Sequence, residues 1–430
     1  MEQGRFLVRT HGNQSLASRA TTDFGVHIGA ASAPSNKDQD RYSMQYFRSK
    51  EIAMEDEGAN QSAPPMMGFG LFDGHGFSSG VADLCEESLL LDIGKELEIL
   101  RAVNPNSGDE PSLTEDDCIR EAFRKLQAQA DARFSGERVG STATVVLATP
   151  SVSHEEVRHL RTPIRSRRRL SSDLERTPEK AQLSRNATSL GAAQSPGVIA
   201  SPSSFEGVSK SLFLGSDLSA SAGAPSLDDS SSSTSPRSIT AVIDKPNAAE
   251  SHWKLTCAWC GDSRAIAVHG DGTTVQELSV DHRLEDPRER ERVTDIFNRE
   301  TAAEDVPAGQ RKTVVARRRC METGHIGPEV IFNEATGVSL MVTRALGDSL
   351  GASAVIAEPE IVSVVVPKGS RIIIASDGVW DVFDNETVAS LIRRIRDPRR
   401  AAVNLASRAK QRRVYAGLSR DDITVIIVEI

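Results

Sequence analysis

The spacing of apolar positions divides the chain into three kinds of segment. Continuous or alternating apolar runs predict strands at Phe24–Ala31, Tyr42–Phe47, Met66–Phe72, Thr142–Ala148, Lys254–Cys260, Arg371–Ser376 and Ile423–Val428. Two segments carry their apolar residues at helical spacing instead. Residues 80–100 set Val81, Leu84, Leu89, Leu90, Ile93, Leu97 and Leu100 on one face. Residues 114–134 do the same with Ile119, Ala122, Phe123, Leu126 and Ala130, behind a capping sequence, Thr114-Glu115-Asp116-Asp117. Helices set between β-branched runs predict a sheet-rich α+β core flanked by helices.

Residues 150–250 break the pattern. About a quarter of them are serine, with Pro, Gly, Ala and Asp and no periodic aliphatics. Such a composition cannot bury enough apolar surface to offset chain entropy, so it predicts a long disordered insertion. It opens on Arg158, Arg161, Arg165, Arg167, Arg168 and Arg169, and later carries the acidic-serine tract Asp228–Ser233. Arg165–Leu170 with Ser171 and Ser172 behind it resembles a basophilic kinase site. Thr162, Thr177, Ser195, Ser201 and Ser235 each precede proline. Kinases acting on 150–250 are therefore candidate partners, against the plainer alternative of an unconstrained solvated loop. Around the insertion the pattern predicts one domain over 23–430, after a flexible N-terminus at 1–22.

Composition narrows the function classes. A formal net charge of -9 argues against nucleic acid as the main partner. No apolar run approaches the roughly 18 residues of a membrane helix, so no membrane span is expected. Met1-Glu2-Gln3-Gly4-Arg5 offers neither an apolar signal core nor a glycine at position two. The expected location is cytoplasmic, nuclear or both; the Arg and Ser of residues 5–20 leave organelle targeting open. Five cysteines (Cys85, Cys118, Cys257, Cys260, Cys320) form no disulfide framework. Cys257-Ala258-Trp259-Cys260 has CxxC spacing, but lies in an apolar run with no second pair to match, and reads as a packed strand.

The chemistry concentrates in carboxylates at strand ends. Asp73 follows the run Met66–Phe72 and opens Asp73-Gly74-His75-Gly76, where glycines force a turn and let a backbone carbonyl approach a cation. His75 beside it can give or take a proton near neutral pH. Asp377 ends the run Arg371–Ser376, Asp421 precedes Ile423–Val428, and Asp40 stands just before the first charged loop. An all-oxygen set of this kind suits Mg²⁺ or Mn²⁺ and not zinc.

Blocks around these residues resemble, in order, those of the metal-dependent serine/threonine protein phosphatases of type 2C. Phe72-Asp73-Gly74-His75-Gly76 is similar to the DGH signature, and Gly140-Ser141-Thr142-Ala143 to the small-residue strand entry. Gly261–Ala265 resembles the GDSR block, and Leu278–His282 the LTxDH block. Thr343–Asp348 resembles SRALGD, Ala357–Glu360 the xPEP segment, Ala375–Asp381 the ASDGxWD block, and Ser419–Thr424 closes the set. The resemblance covers about 24–149 and 251–430 and leaves the insertion out. It implies a central β-sandwich with helices on both outer faces, a cleft for two Mg²⁺ or Mn²⁺ ions, and adjacent strands on either side of the insertion.

The resemblance further implies hydrolysis of phosphoserine and phosphothreonine in proteins by direct attack of a metal-bridging hydroxide, with no covalent intermediate and no cysteine-based phosphatase loop. Asp73 would bridge the ions, Gly74 offer its carbonyl, and Asp377 and Asp421 complete the shell with Asp40 in support. Asp262 matches a position that helps bind a third, looser ion, and His75 matches the general acid. Arg344 and Asp348 are expected in packing and turn roles, and Trp380 in the core. Two departures stand out: Gln39 where many relatives carry Glu, and Ser35 where many carry a phosphate-binding Arg. Lys37 is the nearest cation to replace that Arg. The segment Asp295–Phe332 corresponds to a variable flap and carries Arg311, Lys312, Arg317, Arg318 and Arg319. Phosphorylated proteins are the expected partners of a monomeric enzyme. The alternatives are a pseudophosphatase or regulatory binding module on the same fold, and a phosphoesterase acting on small molecules.

Overall fold

The apolar runs assemble into two facing antiparallel sheets, and both faces of each sheet are covered. The computed structural model describes residues 17–21, 26–35, 37–47, 66–103, 113–151, 252–302, 313–319 and 326–430. Of the disordered insertion expected at 150–250, Pro150 and Ser151 instead finish a strand, held by main-chain pairing to Trp253 and His252; the rest of it, Cys320 and Arg311-Lys312 of the flap fall outside these residues. In chain order the N-terminal half gives β1 (Ala17–Thr21), β2 (His27–Ala33), β3 (Arg41–Phe47), β4 (Met66–Phe72), β5 (Gly74–Gly76), α1 (Gly80–Val103), α2 (Glu115–Arg133), β6 (Val139–Ser141) and β7 (Ala143–Ser151). After the insertion come β8 (His252–Cys260), β9 (Arg264–Val268), β10 (Val275–Glu277), α3 (Pro287–Ala302), β11 (Val314–Arg319), β12 (Ile326–Phe332), β13 (Ser339–Leu340) and β14 (Leu346–Gly347). The chain finishes with β15 (Glu360–Pro367), β16 (Arg371–Ala375), α4 (Asp377–Trp380), α5 (Asn385–Ile392), α6 (Pro398–Tyr415) and β17 (Ile423–Glu429).

One sheet runs β15-β8-β7-β4-β3 and the other β1-β2-β17-β16-β9-β10. Along each strand alternate residues face opposite ways. Met67, Phe69, Leu71, Leu255, Cys257 and Trp259 meet Ile28, Ala265, Ile372, Ile374, Ile426 and Val428 between the sheets. The residues in between point outward, where Phe72, Val145 and Leu147 pack under α1 and α2. On the other outer face Ile266, Ile373, Val425 and Ile427 pack under α5 and α6. This explains why the strands read as continuous apolar runs and not as strict alternation. Cys257 and Cys260 join different clusters on opposite faces of β8, so they cannot share a metal.

Helix boundaries follow local chemistry. Thr114 caps α2 through a reciprocal capping box with Asp117, an arrangement worth about 1 kcal/mol. Asp397 caps α6, whose first residue is Pro398. β7 and β8 pair in register from Ala143↔Cys260 out to Ser151↔His252, so the hairpin that carries the insertion closes on its own hydrogen bonds. Ala17–Thr21, expected within a flexible N-terminus, instead forms edge strand β1 against β2. An edge strand is held by main-chain bonds, and Ala-Ser-Arg-Ala-Thr has no apolar alternation to reveal it. No described helix is long and apolar enough to cross a membrane.

Candidate active site

The strand ends that carry Asp40, Asp73, Asp262, Asp377 and Asp421 all lie at one end of the sandwich. Asp73 leaves β4 with its backbone pinned to the strand entry: its carbonyl accepts from the Thr142 amide (2.9 Å) and the Ser141 hydroxyl (3.3 Å). β5 then pairs with β6. Gly76 has φ 96° and lies against the Arg138 carbonyl, a place where a Cβ has no room. Asp377 was expected to end a strand; it opens the short helix α4, with Ser376 as its N-cap. The first loop, with Asp38 at φ 50°, is held by Asp422. That carboxylate accepts from the amides of Ser35 and Gln39, the latter at 2.7 Å.

Five carboxylates thus come together, and their mutual repulsion shows in how they titrate. Burial and the neighbouring Asp40, Asp377, Asp262 and Asp421 push Asp73 well above the ordinary carboxylate range. Burial with Asp262, Asp381 and Asp421 does the same to Asp377. Asp40 is pushed up to about 7, by burial first and Asp422 second, with the Thr424 and Ser376 hydroxyls moderating the rise. Both Asp40 carboxylate oxygens are buried and receive no hydrogen bond of good geometry. Buried like charges with orphaned oxygens are the arrangement a bound cation resolves. The all-oxygen donor set fits Mg²⁺ or Mn²⁺.

At the other side of the turn, His75 Nε2 stands 2.7 Å from Asp348 Oδ2. Burial works against an imidazolium there, but the Asp348 charge and hydrogen bond outweigh it, and the net shift is upward. Gly140 makes the contact possible: a Cβ at that position would overlap both His75 Nε2 and Asp348 Oδ2. Asp348 has φ 52°, so the expected turn role is present. Its contact with His75 is an additional role that the sequence reading missed. Lys37 is exposed, and its positive field reaches both Asp421 and His75. Gln39 reaches the Gly76 carbonyl with Nε2 (3.3 Å), while its Oε1 is buried without a partner.

Two arginines enter the cluster. Arg283 donates through Nε to Asp262 Oδ2 (2.6 Å), through Nη2 to Asp377 Oδ2 (3.0 Å) and through Nη1 to Asp381 Oδ1 (3.0 Å). Arg413 donates to Asp381 Oδ2 and Asp421 Oδ2, both at 3.0 Å. Asp377, Asp381 and Asp421 each bring an oxygen within 4.8 Å of the others. Asp381, Arg283, Arg413 and Asp422 were not singled out from sequence, although Asp381 closes the ASDGxWD block and Arg283 directly follows LTxDH.

A second acid group, His282, Glu289 and Glu360, has metal-like spacing but the wrong chemistry. His282 Nδ1 accepts from the Gly261 amide (3.1 Å), so in the neutral ring Nε2 carries the hydrogen and has no lone pair to offer. Glu289 is already committed to Arg344, Arg292 and Thr343, and Glu360 to Arg344 and Arg288. This is a structural ion network, in keeping with the packing role expected of Arg344. A Cys-x5-Arg spacing does occur, at Cys118–Arg124, yet it lies within α2. Cys118 donates its thiol hydrogen to the Glu96 carbonyl, and burial raises its pKa. It forms no phosphate cradle.

Comparison with known proteins finds relatives of one family. The family model described as protein phosphatase 2C matches residues 181–415. Among curated proteins, the chain is 31% identical over 180 residues to "Probable protein phosphatase 2C 41" of Arabidopsis thaliana, 40% of this chain and 46% of that protein. It is 33% identical over 176 residues to "Probable protein phosphatase 2C 45" of Oryza sativa subsp. japonica, 41% of this chain and 50% of that one. The matched region therefore spans half or less of these relatives. Among solved structures, a phosphatase from a pathogenic strain of Toxoplasma gondii aligns over 94% of this chain and 92% of its own, with TM-score 0.51 and 15% identity. A C. elegans sex determining protein aligns over 94% of this chain and 64% of its own, with TM-score 0.51 and 15% identity. At that identity the two structures speak for the fold alone.

Proposed function

Because this chain belongs to the protein phosphatase 2C family, we propose that its carboxylate cleft hydrolyses phosphoserine and phosphothreonine in proteins with the help of divalent cations. The observation that carries the reading is the convergence of Asp73, Asp40, Asp377 and Asp421, where Arg283 and Arg413 answer only part of the negative charge. Asp73 and the Gly74 carbonyl would hold Mg²⁺ or Mn²⁺, with Asp377 and Asp421 completing the shell and Asp40 supporting it. When bound, such cations supply Lewis acidity that makes a water nucleophilic near neutral pH and offsets charge on the phosphoryl oxygens.

The chain's own residues do the rest. His75 lies one turn from Asp73 and donates a proton to the departing serine or threonine oxygen. Asp348 holds the imidazole through Nε2 and favours its protonated form. Lys37 takes the part of a phosphate-side cation in place of the Arg that Ser35 replaces. Two residues after His75, Phe77 is 83% exposed with Arg138 6.0 Å from its ring centroid, an apolar and cationic pair that would be open to a peptide substrate. Residues 150–250 are proposed as a regulatory insertion that catalysis does not need, since every candidate site residue lies outside it.

The test is turnover of a phosphopeptide by the full chain with Mn²⁺, and its loss on chelation. Activity no higher than that of an Asp73→Asn control defeats the enzyme reading and leaves a binding module on the same fold.

A further inference from the structure

The acid cluster is not uniform in how its charge is met. Among the described residues no Lys or Arg pairs with the carboxylate of Asp73 or Asp40: Arg41 reaches only the Asp40 backbone carbonyl, and the Asp40 carboxylate oxygens lack hydrogen bonds of good geometry. At the opposite end the carboxylates are already taken. All three nitrogens of the Arg283 guanidinium are used, each on a different aspartate: Asp262, Asp377 and Asp381. Asp381 is fully committed, because its Oδ1 goes to Arg283 and its Oδ2 to Arg413.

We propose that Arg283 is a built-in cation that fills the position between Asp262, Asp377 and Asp381, so that divalent ions load only at the Asp73 end of the cleft. This rests on the metal-dependent reading above and goes beyond it. It replaces the third, looser ion implied for Asp262 with a residue of the chain itself.

The backbone holds Arg283 to this task. Its neighbour His282 donates its amide to the Gly261 carbonyl (3.0 Å) and accepts from the Thr343 amide (2.8 Å). Arg283 itself makes a backbone bridge to Val342. The side chain therefore starts from a fixed point beside Asp262. A guanidinium spreads one charge over a planar fork and can serve several carboxylates at once, which an ammonium does less well.

Charge balance points the same way. Asp40, Asp73, Asp262, Asp377, Asp381, Asp421 and Asp422 bring seven negative charges when ionised, and Arg283, Arg413 and Lys37 supply three positive ones. Two divalent ions neutralise the remainder, and a third would overshoot it. A divalent ion at the Arg283 position would also sit beside a guanidinium it could not coordinate.

The experiment is titration of Mn²⁺ into the metal-stripped full chain, counting bound ions by the paramagnetic resonance signal of free Mn²⁺. Arg283→Gln, which removes the charge and keeps a polar side chain, is expected to bind one more Mn²⁺ per chain than the wild type. Asp381→Asn is expected to bind the same number as the wild type, because Asp381 serves arginines and not an ion. An unchanged count in Arg283→Gln overturns the proposal, and so does the loss of one ion in Asp381→Asn. Should Arg283→Gln fail to fold by circular dichroism, Asp381→Asn decides alone. Failure of the underlying reading looks different: the wild type and Asp73→Asn then bind equally little Mn²⁺, and both claims fall.

Discussion

Two buried acid clusters lie side by side in this molecule and behave in opposite ways. In one, Glu289 meets Arg344 at 2.6 Å and Arg292 at 2.8 Å and takes the Thr343 hydroxyl, while Arg344 also reaches Glu360. Burial alone would raise Glu289, but these partners drive it far below the ordinary range. In the other, Asp73, Asp40 and Asp377 are pushed up, because burial and like charges act with too little to oppose them. A cluster completed by its own side chains is part of the scaffold. A cluster left incomplete is a site, and stability has been given up to keep it so.

The comparison breaks first on activity. Asp73→Asn is expected to lower kcat by at least ~10³-fold if Asp73 holds the cation as proposed, yet to leave the metal-free protein no less stable, since it relieves repulsion. Thermal melts without metal check this; a melting point well below that of the wild type would erase the distinction. Glu289→Gln is the mirror case. It takes from Arg292 its only carboxylate among the described residues and leaves Arg344 to Glu360, and should cost ~3 kcal/mol of stability, read by denaturant unfolding, with activity falling only as far as the fold does.

Smaller effects sharpen the contrast. Asp348→Asn is expected to reduce kcat ~10–100-fold on a phosphate ester with a poor leaving group, and by much less on p-nitrophenyl phosphate, which needs little protonation. Equal losses on both would remove Asp348 from any role through His75. The smallest effect concerns pH. Burial lowers His282 to about 3, below its unfolded value, so the stability it gives is present above about pH 6.5 and is lost as the pH falls toward 3. Asp40, raised to about 7, runs the other way: its contribution to metal-free stability is greatest below its unfolded value of about 4 and is lost as the pH rises through 7. His282→Asn, whose amide oxygen can still accept from Gly261, should flatten the acid-side slope. Because a cation must displace those protons, Mn²⁺ should raise the melting point more at pH 8 than at pH 5.5. A larger shift at the lower pH would contradict the assignment of Asp40.

The carboxylates of the site were legible in sequence because each sits at the end of an apolar run beside a glycine or in a recognisable block. Asp348 was harder to read. Its turn conformation is local, but its contact with His75 spans 273 positions and depends on Gly140 leaving room between them. Arg283 and Arg413 were not legible, since nothing in Asp281-His282-Arg283 or in α6 announces which carboxylates they meet. The metal-like group at His282 shows the reverse error: its spacing in space suggests a site, and the hydrogen bond at Nδ1 together with the arginines on Glu289 and Glu360 rules it out.

The sequence by itself determined the strands, the two helices on one outer face, the interrupted hairpin and the aspartates at the strand ends. Those follow from periodicity and turn chemistry, which act over a few residues. The tertiary structure decided which charges are answered and which are left open, because that depends on groups hundreds of residues apart sharing one poorly hydrated space. It also decided that Ala17–Thr21 is a strand, since main-chain pairing at a sheet edge asks for a neighbour and not for a side-chain pattern.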